Sequence, residues 1–392
     1  MRRATRILAM TLIMTLLAGC GAGVSADSTP AEVRLFAVNV GKGDALLLRV
    51  GDWTGLIDAG KAKAMGRVKY ALEQLGVERL DAVFLTHTDD DHAGGLEWLA
   101  ESDIAVDAWY ASGLYTGVKE KKHPMVKAAA IRGQDVQWLR RGDALDLGGG
   151  AALRVLAPAS LFTDKDDNNS LVMLLESAAG RILLTGDMEL PEEAELLAQG
   201  DDLSCAVLKV PNHGDDDTTS DAFARAASAQ IALISTDSQE KPGTPDAGVV
   251  SRLEAAGSRV LVTQDAGLGW MVALKDGAAT AEAADIDAAP VTGVYITEVD
   301  AGDDTITLSN NTGGSLELDG FYLHSDRGDE LFAFPAGTTV APGDELTVGT
   351  NSTDGSFDVL WDDKKVVHQK KTDTITLYDP CGRAVDRLDN GK

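Results

Sequence analysis

The sequence contains very little cysteine, with three residues in a chain of 392. Cys20 ends an N-terminal apolar segment, so only Cys205 and Cys381 remain for the body of the protein. Two cysteines in separate parts of the chain argue against a disulfide framework and exclude a cysteine cage for a metal. Any metal ion must therefore be held by histidine and aspartate side chains.

Basic residues are also scarce. The chain has 35 lysines and arginines against 62 aspartates and glutamates, which gives a formal charge of −27. This balance excludes a basic protein that coats nucleic acid, because such proteins neutralise phosphates with an excess of lysine and arginine. A content of 44% apolar and 25% charged residues is typical of a globular protein, and the length predicts two domains.

Long apolar runs are missing as well. Residues 7–17 are apolar and follow three arginines, but they are too few to cross a bilayer, so residues 1–19 are predicted to be a signal peptide. Residues 17–20, LAGC, resemble the lipobox of bacterial lipoproteins, in which the cysteine, here Cys20, carries the lipid. Ordinary cleavage with an incidental Cys20 is the alternative. We expect an exported protein, either a cell-surface lipoprotein held on the bacterial membrane by its lipid alone or a secreted one, with residues 20–31 as a tether.

The rest of the chain divides into two regions by its pattern. Over residues 32–277, predicted strands (33–40, 45–50, 80–86) alternate with predicted helices (67–75, 222–227, 249–256), which indicates a layered α/β domain. Residues 278–292 are rich in alanine and aspartate without apolar periodicity, and we predict a linker there. Short alternating segments between Asn-Asn, Gly-Gly and Pro-Gly turns over residues 293–392 predict an all-β sandwich.

The strongest local signal is residues 86–95, THTDDDHAGG, directly after an apolar predicted strand. His87, Asp89, Asp91 and His92 offer nitrogen and oxygen ligands within six residues, a spacing that suits a metal ion. A solvated acidic turn is the alternative interpretation, and it suits Asp90. Two histidines that bracket three aspartates have no structural role in a surface loop, so we predict a metal site.

Two later predicted strands end in further ligand candidates. Residues 181–187, RILLTGD, end in Asp187, and residues 207–214, VLKVPNHG, contain His213. The carboxyl ends of strands in an α/β domain gather at one edge, so these distant loops can build one site with residues 87–92. An aspartate between two cations would neutralise part of their charge and bridge them.

With these pieces the sequence from 32 to about 274 resembles the metallo-β-lactamase superfamily, and within it the ComEC-type branch, the hydrolase domain of bacterial DNA-uptake proteins and its stand-alone relatives. Besides the HTDDDH loop, the matching pieces are residues 36–45 (FAVNVGKGDA), 168–172 (NNSLV), 185–187 (TGD), 209–214 (KVPNHG) and 263–267 (TQDAG). The resemblance implies an αββα sandwich with a dinuclear metal edge.

The resemblance also implies a ligand set. His87 and Asp89 would serve one metal, Asp91, His92 and His213 the other, and Asp187 would bridge them. The domain has four histidines where the lactamase-type pattern uses five, and Asp89 stands where the superfamily usually has its second histidine. More oxygen and less imidazole shifts the preference from Zn²⁺ towards harder ions, so the two divalent ions are expected to be Mn²⁺ or Zn²⁺. Asp91, His92 and Asp187 are the predicted catalytic residues, supporting attack of a metal-bound hydroxide on phosphorus.

Further residues are secondary candidates. Asn168 and Ser170 lie where the branch lacks the usual middle histidine, so they would be near the first metal or, equally well, would cap a hairpin strand. Asp44 is another candidate for building the site. Lys121, Lys122 and Lys209 are candidate phosphate contacts. His123, in the basic stretch 119–124, belongs to that patch or to a solvated loop.

The sequence departs from the branch at three positions. Asn39 replaces the usual aspartate of the first signature, and Asn212 replaces the first histidine of a His-His-Gly pair. Residues 242–245, PGTP, stand where the branch has a Tyr-Gly-His-Pro-like segment. If that histidine protonates the leaving group, this protein must be slow or use another donor.

The C-terminal region from 294 to about 388 resembles the lamin tail domain, an immunoglobulin-like sandwich, through residues 296–299, 305–310, 318–323, 334–344 and 374–378. Trp361 is predicted to be in its core, and His324 and His368 at its surface. The region is acidic overall, which argues against tight binding of duplex DNA by the tail itself.

Three functions are consistent with the sequence. The first is a surface-anchored or secreted metal-dependent phosphodiesterase, a nuclease that degrades extracellular DNA, with a nucleic acid or another phosphodiester polymer as its partner. The second is a metal-dependent hydrolase of a small ester, lactone or cell-wall phosphodiester, which the negative charge favours because a polyanion must approach against the global field. The third is a surface binding or scaffold protein with a vestigial site.

Overall fold

The computed structural model describes residues 32–392, so the predicted signal peptide, the tether and Cys20 lie outside the described residues. In the first region the strands are β1 Val33–Val38, β2 Leu46–Val50, β3 Trp53–Ile57, β4 Arg79–Leu80, β5 Ala82–Leu85, β6 Ala105–Val106, β7 Trp109–Ser112, β8 Val136–Leu139, β9 Ala144–Gly148, β10 Ala151–Ala157, β11 Val172–Ser177, β12 Gly180–Leu184, β13 Val207–Lys209, β14 Ile231–Ile234, β15 Arg259–Val262, β16 Gly269–Lys275 and β17 Ala278–Ala284. The helices are α1 Met65–Gln74, α2 Asp90–Ala93, α3 Leu96–Glu101, α4 Pro124–Ile131, α5 Leu190–Gln199, α6 Asp221–Ala227 and α7 Ala247–Ala255.

These strands form two large sheets and a small one. The first large sheet has the order β17-β16-β1-β2-β3-β5-β7-β8, and the second has the order β15-β14-β13-β12-β11-β10-β9. β4 and β6 pair separately. The helices predicted at 67–75, 222–227 and 249–256 are present as α1, α6 and α7, shifted by a residue or two at their ends.

Successive side chains of each strand point to opposite faces of its sheet, and the buried apolar side chains form three layers. Leu175 and Ile182 face the layer between the two sheets, whereas their neighbours Leu174 and Leu183 pack on the other side with α5, α6 and α7. α1, α3 and α4 cover the outer face of the first sheet. Side chains two residues apart share a face of a strand, so a strand that is apolar on both sides can be covered on both. The αββα sandwich expected from the resemblance is confirmed.

The sheets bring several strand ends to one edge. β3, β5, β7 and β8 run parallel in the first sheet, and β12, β13, β14 and β15 run parallel in the second. The carboxyl ends of parallel strands lie at the same edge of a sheet, which is where ligand sites form in such folds. Residues 58, 86–92, 187 and 210–213 follow β3, β5, β12 and β13 and are therefore neighbours.

The predicted linker 278–292 is partly wrong. Its first half is β17, which pairs with β16 in antiparallel register from Lys275 and Ala278 to Gly269 and Ala284. Asp276 and Gly277, with φ of 51° and 79°, make the two-residue turn of this hairpin. The alanine-rich sequence of β17 shows no apolar periodicity. Its pairing with β16 depends on main-chain hydrogen bonds, which do not require such a pattern. The Asp-Gly pair was the available signal, and the boundary expected after residue 277 divides a hairpin.

The tail is a β-sandwich. Its strands are β18 Val294–Asp300, β19 Thr305–Asn310, β20 Leu316–Glu317, β21 Tyr322–Ser325, β22 Glu330–Ala333, β23 Thr339–Val340, β24 Glu345–Thr350, β25 Val359–Trp361, β26 Thr374–Tyr378 and β27 Ala384–Asp389. The sheets β18-β19-β24-β25 and β22-β21-β26-β27 enclose one apolar core, and β20 pairs with β23. Trp361 lies in this core, as predicted.

One tail histidine was predicted wrongly. His324 is buried rather than at the surface, and its two ring nitrogens face Asp326 at 3.2 Å and Asp329 at 2.6 Å. The two carboxylates compensate for the cost of burying the ring, and they raise the pKa of His324 although burial opposes it. His368 is half-buried.

The tail contacts the α/β region at the start of α1. The hydroxyl of Tyr322 donates to the carbonyl of Lys63 at 2.7 Å. Gly66 faces Tyr322 and Gly382 so closely that a Cβ there would lie 2.8 Å from the tyrosine ring, and Cys381 packs into the apolar layer under α1. Over residues 32–392, no helix combines the length and apolarity needed to span a membrane.

Candidate metal centre

The loop after β5 is folded so that its ligand candidates point to one place. The backbone N–H of His92 donates to the carbonyl of Asp89 at 3.0 Å, which starts α2 and turns His92 back towards the sheets. Glycines let this loop lie against its neighbours. A Cβ on Gly95 would lie 2.3 Å from the carbonyl oxygen of Ala59, and one on Gly43 would lie 2.5 Å from that of Asp91. The small residues of this motif are therefore needed for close packing.

Three histidines converge on one carboxylate oxygen. Oδ2 of Asp187 lies 2.9 Å from Nε2 of His213, 3.2 Å from Nε2 of His92 and 4.0 Å from Nε2 of His87. Oδ2 of Asp91 lies 3.5 Å from Nε2 of His213. All three imidazoles and Asp187 are buried. The structure thus brings the predicted residues from β5, β12 and β13 together in one buried site.

These side chains form overlapping groups that could hold cations. The groups whose ligand atoms lie within 4.8 Å of one another are His87, His92 and Asp187; Asp91, His92 and His213; His87, Asp89 and Asp167; and Asp44, Asp58 and His92. Nε2 of His87 and Oδ1 of Asp187 are buried and have no hydrogen-bond partner among residues 32–392. An unpaired buried polar atom is costly. The donor set therefore fits divalent metal ions, which would use both atoms.

The imidazoles are held from behind, at Nδ1. Nδ1 of His92 lies 2.8 Å from Oδ2 of Asp58, and Nδ1 of His213 donates to the carbonyl of Ser235 at 2.7 Å. Nδ1 of His87 lies 3.1 Å from the hydroxyl of Thr86. Such partners fix the ring orientation, and with it the inward direction of Nε2.

Asp58 was missed by sequence analysis. It is fully buried, and besides His92 it accepts the backbone N–H and the hydroxyl of Thr86, each at 2.8 Å. It ends an apolar strand, β3, in the same way that Asp187 ends β12. The signal was therefore present, and the same rule that selected Asp187 would have found Asp58.

Asn168 and Ser170 make different contacts and have different roles. The hydroxyl of Ser170 accepts the backbone N–H of Asp187 at 2.9 Å and lies 3.5 Å from Nδ1 of His87, so it positions both groups. The side chain of Asn168 instead donates to Glu189 at 2.8 Å. Its Oδ1 accepts the backbone N–H of Glu192 at 3.3 Å, so the amide is occupied by α5 and the residue before it, while the carboxylate of Asp167 joins His87 and Asp89. Asp167 was not among the predicted ligands, although it is the acid next to the pair.

Lys209 was predicted to contact phosphate, but it lies beneath the site. It is fully buried, pairs with Asp44, lies 3.6 Å from Oδ1 of Asp187 and donates to the carbonyl of Gly186 at 3.1 Å. A side chain with no exposed surface cannot contact a polymeric substrate. Although burial opposes its charge, Asp44 and Asp187 raise the pKa of Lys209. It therefore neutralises carboxylates beneath the site.

Two carboxylates of the site, Asp91 and Asp187, are held in their ionised form. Burial works against the charge of Asp91, but His92 and His213 lower its pKa to about 2. His213 and His92 likewise hold the pKa of Asp187 well below its ordinary value against the effect of burial. Lys42 pairs with Asp91 at the partly exposed side of the site. Burial raises the pKa of Asp89, whereas neighbouring carboxylates raise that of His92 against the effect of burial, so a cation that binds Nε2 of His92 would displace a proton.

Lys121 and Lys122 lie in the loop after β7, at the same sheet edge, and both are exposed. His123 does not lie with them. It is 1% exposed and packs edge-on against the rings of Tyr115 and Trp138, with centroids 4.8 and 5.1 Å away. Both interpretations of His123 were therefore wrong, because His123 is the N-cap residue at which α4 begins and its ring packs against these aromatic rings instead of facing solvent.

We expect His123 to make the fold sensitive to acid. Burial lowers its pKa from 6.5 to about 4, with Asp166 acting in the opposite direction. Below pH 6.5 the unfolded chain binds a proton that the folded chain rejects, so stability is lost as pH falls from 6.5 towards 4. In His123→Phe this part of the loss should disappear. Urea unfolding at pH 7 and pH 5 measures it, and an equal loss in both proteins would contradict the assignment.

The three departures from the branch do not add an acid–base group. Asn39 accepts the backbone N–H of Gly41 at 3.3 Å and donates to the carbonyl of Ala266 at 3.0 Å, so it shapes the first signature loop. Asn212 donates to Asp217 at 3.2 Å. Thr244 shares a hydrogen bond with Thr236 at 2.8 Å. These side chains keep loops in place without a titratable proton.

Comparison with known proteins agrees with this architecture. Residues 38–238 match the family model of the metallo-β-lactamase superfamily, and residues 287–392 match that of the lamin tail domain. The chain is 30% identical over 192 residues to ComE operon protein 3 of Bacillus subtilis, which covers 49% of this chain and 24% of that protein. It is 28% identical over 238 residues to competence protein ComA of Neisseria gonorrhoeae, which covers 60% of this chain and 32% of the relative. The chain thus spans about a third or less of these relatives.

The chain is also similar to solved structures. The metallo-β-lactamase fold protein YhfI of Bacillus subtilis matches 62% of this chain and 99% of its own, with a TM-score of 0.41 and 14% identity. Zn²⁺-bound PqqB of Methylobacterium extorquens matches 58% of this chain and 86% of its own, with a TM-score of 0.40 and 15% identity.

Proposed function

The chain belongs to the metallo-β-lactamase superfamily, a family of metal-dependent hydrolases, and from this premise we propose that it is a phosphodiesterase that degrades DNA. The observation that carries the proposal is the oxygen-rich half of the site, where His87 is grouped with the carboxylates of Asp89 and Asp167. Carboxylate ligands favour hard ions such as Mn²⁺ over Zn²⁺. Such ions suit phosphoryl chemistry, in which negative charge develops on oxygen.

We assign two divalent ions, Mn²⁺ or Zn²⁺, to this edge. His87, Asp89 and Asp167 would hold the first, Asp91, His92 and His213 the second, and Asp187 both. Bound ions would activate water and stabilise charge on the phosphoryl group. Asp167 extends the ligand set that the resemblance implied.

The protein supplies orientation and charge around the ions. Asp58, Ser235 and Ser170 hold the imidazoles and Asp187 in place through the contacts described above. Lys209 offsets the charge of Asp44 from below. Lys42, Lys121 and Lys122 supply positive charge on the accessible side, where the phosphates of a polymer would arrive. In the described structure residues 242–245 offer no acid for the leaving group, so solvent would protonate it.

DNA is favoured as the substrate by the ComEC-type signatures, because that branch is associated with DNA uptake. An exported position, by the lipid on Cys20 or by secretion, would give access to extracellular DNA. Hydrolysis of a small ester or lactone is the second candidate, and the charge of −27 favours it because a neutral substrate approaches without repulsion.

The proposal is tested with a protein of residues 21–392, linear DNA and a series of Mn²⁺, Zn²⁺ and Mg²⁺. We expect cleavage that needs a metal and is lost in Asp91→Ala, whereas the exposed acid variant Asp216→Ala should remain active. Chromogenic esters and phosphodiesters are measured in parallel. Equal inertness of the wild type and Asp91→Ala would refute the phosphodiesterase, and turnover of carboxylic esters alone would favour the second candidate.

Replacing Asp58 should weaken metal binding without touching a ligand. In Asp58→Asn the group behind Nδ1 of His92 loses its charge, and such partners typically contribute about 10–100-fold in metal affinity. Titration of metal-free protein with Mn²⁺ or Zn²⁺ by calorimetry measures the change, with the exposed Asp52→Asn as the matched control. An unchanged affinity would mean that Asp58 supports only Thr86.

A further inference from the structure

A second concentration of positive charge lies in the tail, far from the catalytic residues in sequence. Lys364, Lys365, Lys370 and Lys371 are all exposed, and Arg327 is exposed beside them. None of these five cations forms an ion pair with an acidic residue in the part of the chain that the structure describes, 32–392. The chain has 62 acidic and 35 basic residues, so the charge of this unpaired cluster is opposite in sign to the net charge of the protein.

The cluster surrounds a groove, which we call the basic groove. Its volume is about 380 Å³. Its walls include Arg327, Lys365, His368 and Lys370, and Val366 contributes to its lining. Glu330 is the one acidic residue among the described residues that line it. Positive walls along a groove suit the phosphate backbone of a nucleic-acid strand.

Buried carboxylates hold the loop that carries these cations. Asp304, which is 1% exposed, accepts the backbone N–H groups of Val366 at 3.1 Å and Val367 at 2.7 Å. Asp373, also 1% exposed, accepts those of His368 at 2.9 Å and Arg327 at 3.1 Å. Both carboxylates accept hydrogen bonds from the main chain and do not pair with the lysines of the loop, whose charges remain available to a ligand. A loop fixed in this way loses little conformational entropy when it binds.

His368 completes the shape of the groove. Its Nδ1 accepts the backbone N–H groups of Lys370 and Lys371, each at 3.1 Å. The neutral ring therefore carries its proton on Nε2, which leaves a donor for a ligand. The side chain of Asn390 donates to the carbonyls of His368 and Lys371 at 2.6 and 3.1 Å and closes the turn.

We propose that the basic groove binds the phosphodiester backbone of a single nucleic-acid strand and holds the polymer while the metal centre cleaves it. The proposal rests on the proposed function. No ligand candidate of the metal centre lines the groove, so it is a separate binding site. A single strand, rather than a duplex, fits both the small groove and the acidic surroundings of the tail, because it has to place fewer phosphates near them.

A membrane surface is the other polyanion that a basic loop can bind. Interfacial anchors place large apolar side chains beside their cations. Residues 364–371 of the described chain expose none, because Val366 and Val367 are buried. The loop therefore favours a nucleic acid.

The test measures binding separately from cleavage. A fluorescein-labelled single-stranded DNA oligonucleotide is titrated with protein of residues 21–392 in EDTA, and anisotropy is followed over a salt series. In Lys365→Glu/Lys370→Glu we expect binding about tenfold or more weaker and a salt slope smaller by about 1.4, because two phosphate contacts to a single strand are lost. Lys275→Glu/Arg387→Glu makes the same charge change at exposed positions outside the groove and should bind nearly as the wild type.

Lys365→Gln/Lys370→Gln, with thermal melting of each variant, guards against a folding defect and should give an intermediate loss. Equal weakening in the groove and control variants would overturn the proposal. The proposal would also be overturned if the groove variants lost binding to vesicles of equimolar phosphatidylglycerol and phosphatidylcholine while their binding to DNA was unchanged. Hydrolysis of bis(p-nitrophenyl) phosphate with Mn²⁺ reports on the metal centre alone. It should be equal in all these proteins, and its absence in the wild type would refute the proposed function while leaving the groove result valid.

Discussion

Asp187→Asn is expected to reduce hydrolysis about a thousandfold or more and to release at least one ion from the metal centre. Oδ2 of Asp187 is the atom on which His87, His92 and His213 converge, so its carboxylate is the group that two ions would share. Asparagine keeps the shape but removes the charge and one anionic ligand. We expect phosphodiester turnover to fall about a thousandfold or more, which corresponds to ~4 kcal/mol of lost transition-state stabilisation. Bound metal should fall from two ions per chain to one or fewer.

The control for this variant is Asp216→Asn, because Asp216 is exposed and lies outside the metal-binding groups. Metal content after reconstitution and gel filtration gives the second readout, and turnover of bis(p-nitrophenyl) phosphate gives the first. Full metal content together with full activity in Asp187→Asn would show that the convergence of the histidines is structural only.

Lys209→Met is expected to be the most destabilising substitution in the site. Lys209 is fully buried and offsets Asp44, which is itself 1% exposed, and it also lies 3.6 Å from Asp187. Methionine has a similar length but leaves those carboxylates without a cation. Breaking a buried ion pair on one side typically costs about 3–5 kcal/mol of the free energy of unfolding. Urea denaturation of the metal-free protein, where no bound ion compensates, measures the loss.

Two comparisons make this result specific. Lys209→Met/Asp44→Asn removes both partners and should recover part of the loss, because no unpaired charge then remains at Asp44. Lys241→Met breaks the exposed pair with Asp215, whose atoms are 3.6 Å apart, and should cost less than about 1 kcal/mol. A loss in Lys209→Met no larger than that in Lys241→Met would show that the buried pair contributes nothing.

The sequence predicted several of the side chains that meet at this edge because a polar residue follows an apolar strand. His87, Asp187 and His213 were found by this rule, because parallel strands in an α/β fold place their carboxyl ends at one edge. Asp58 obeys the same rule and was overlooked because no motif surrounds it. Asp167 could not be separated from its neighbours in this way, since a short turn decides whether Asp167 or Asn168 faces His87.

Burial was the property that local patterns predicted least well. Lys209, His123 and His324 are polar residues that were expected at accessible positions, yet all three are buried. Each is compensated by residues distant in sequence or by aromatic packing: Asp44 for Lys209, the rings around His123, and two aspartates for His324. Such partners are set by tertiary structure, whereas a sequence window shows only the charge or the ring. The hairpin of β16 and β17 was missed for a related reason, because its pairing is made by the main chain.

Anomalous diffraction from crystals of the protein prepared with Mn²⁺ tests the central claim most directly. The account predicts two manganese peaks on either side of Asp187, one beside His87, Asp89 and Asp167 and the other beside Asp91, His92 and His213. A single peak among Asp44, Asp58 and His92, the remaining group of potential ligands in the described chain, would contradict it. So would the absence of any peak at this edge of the sheets.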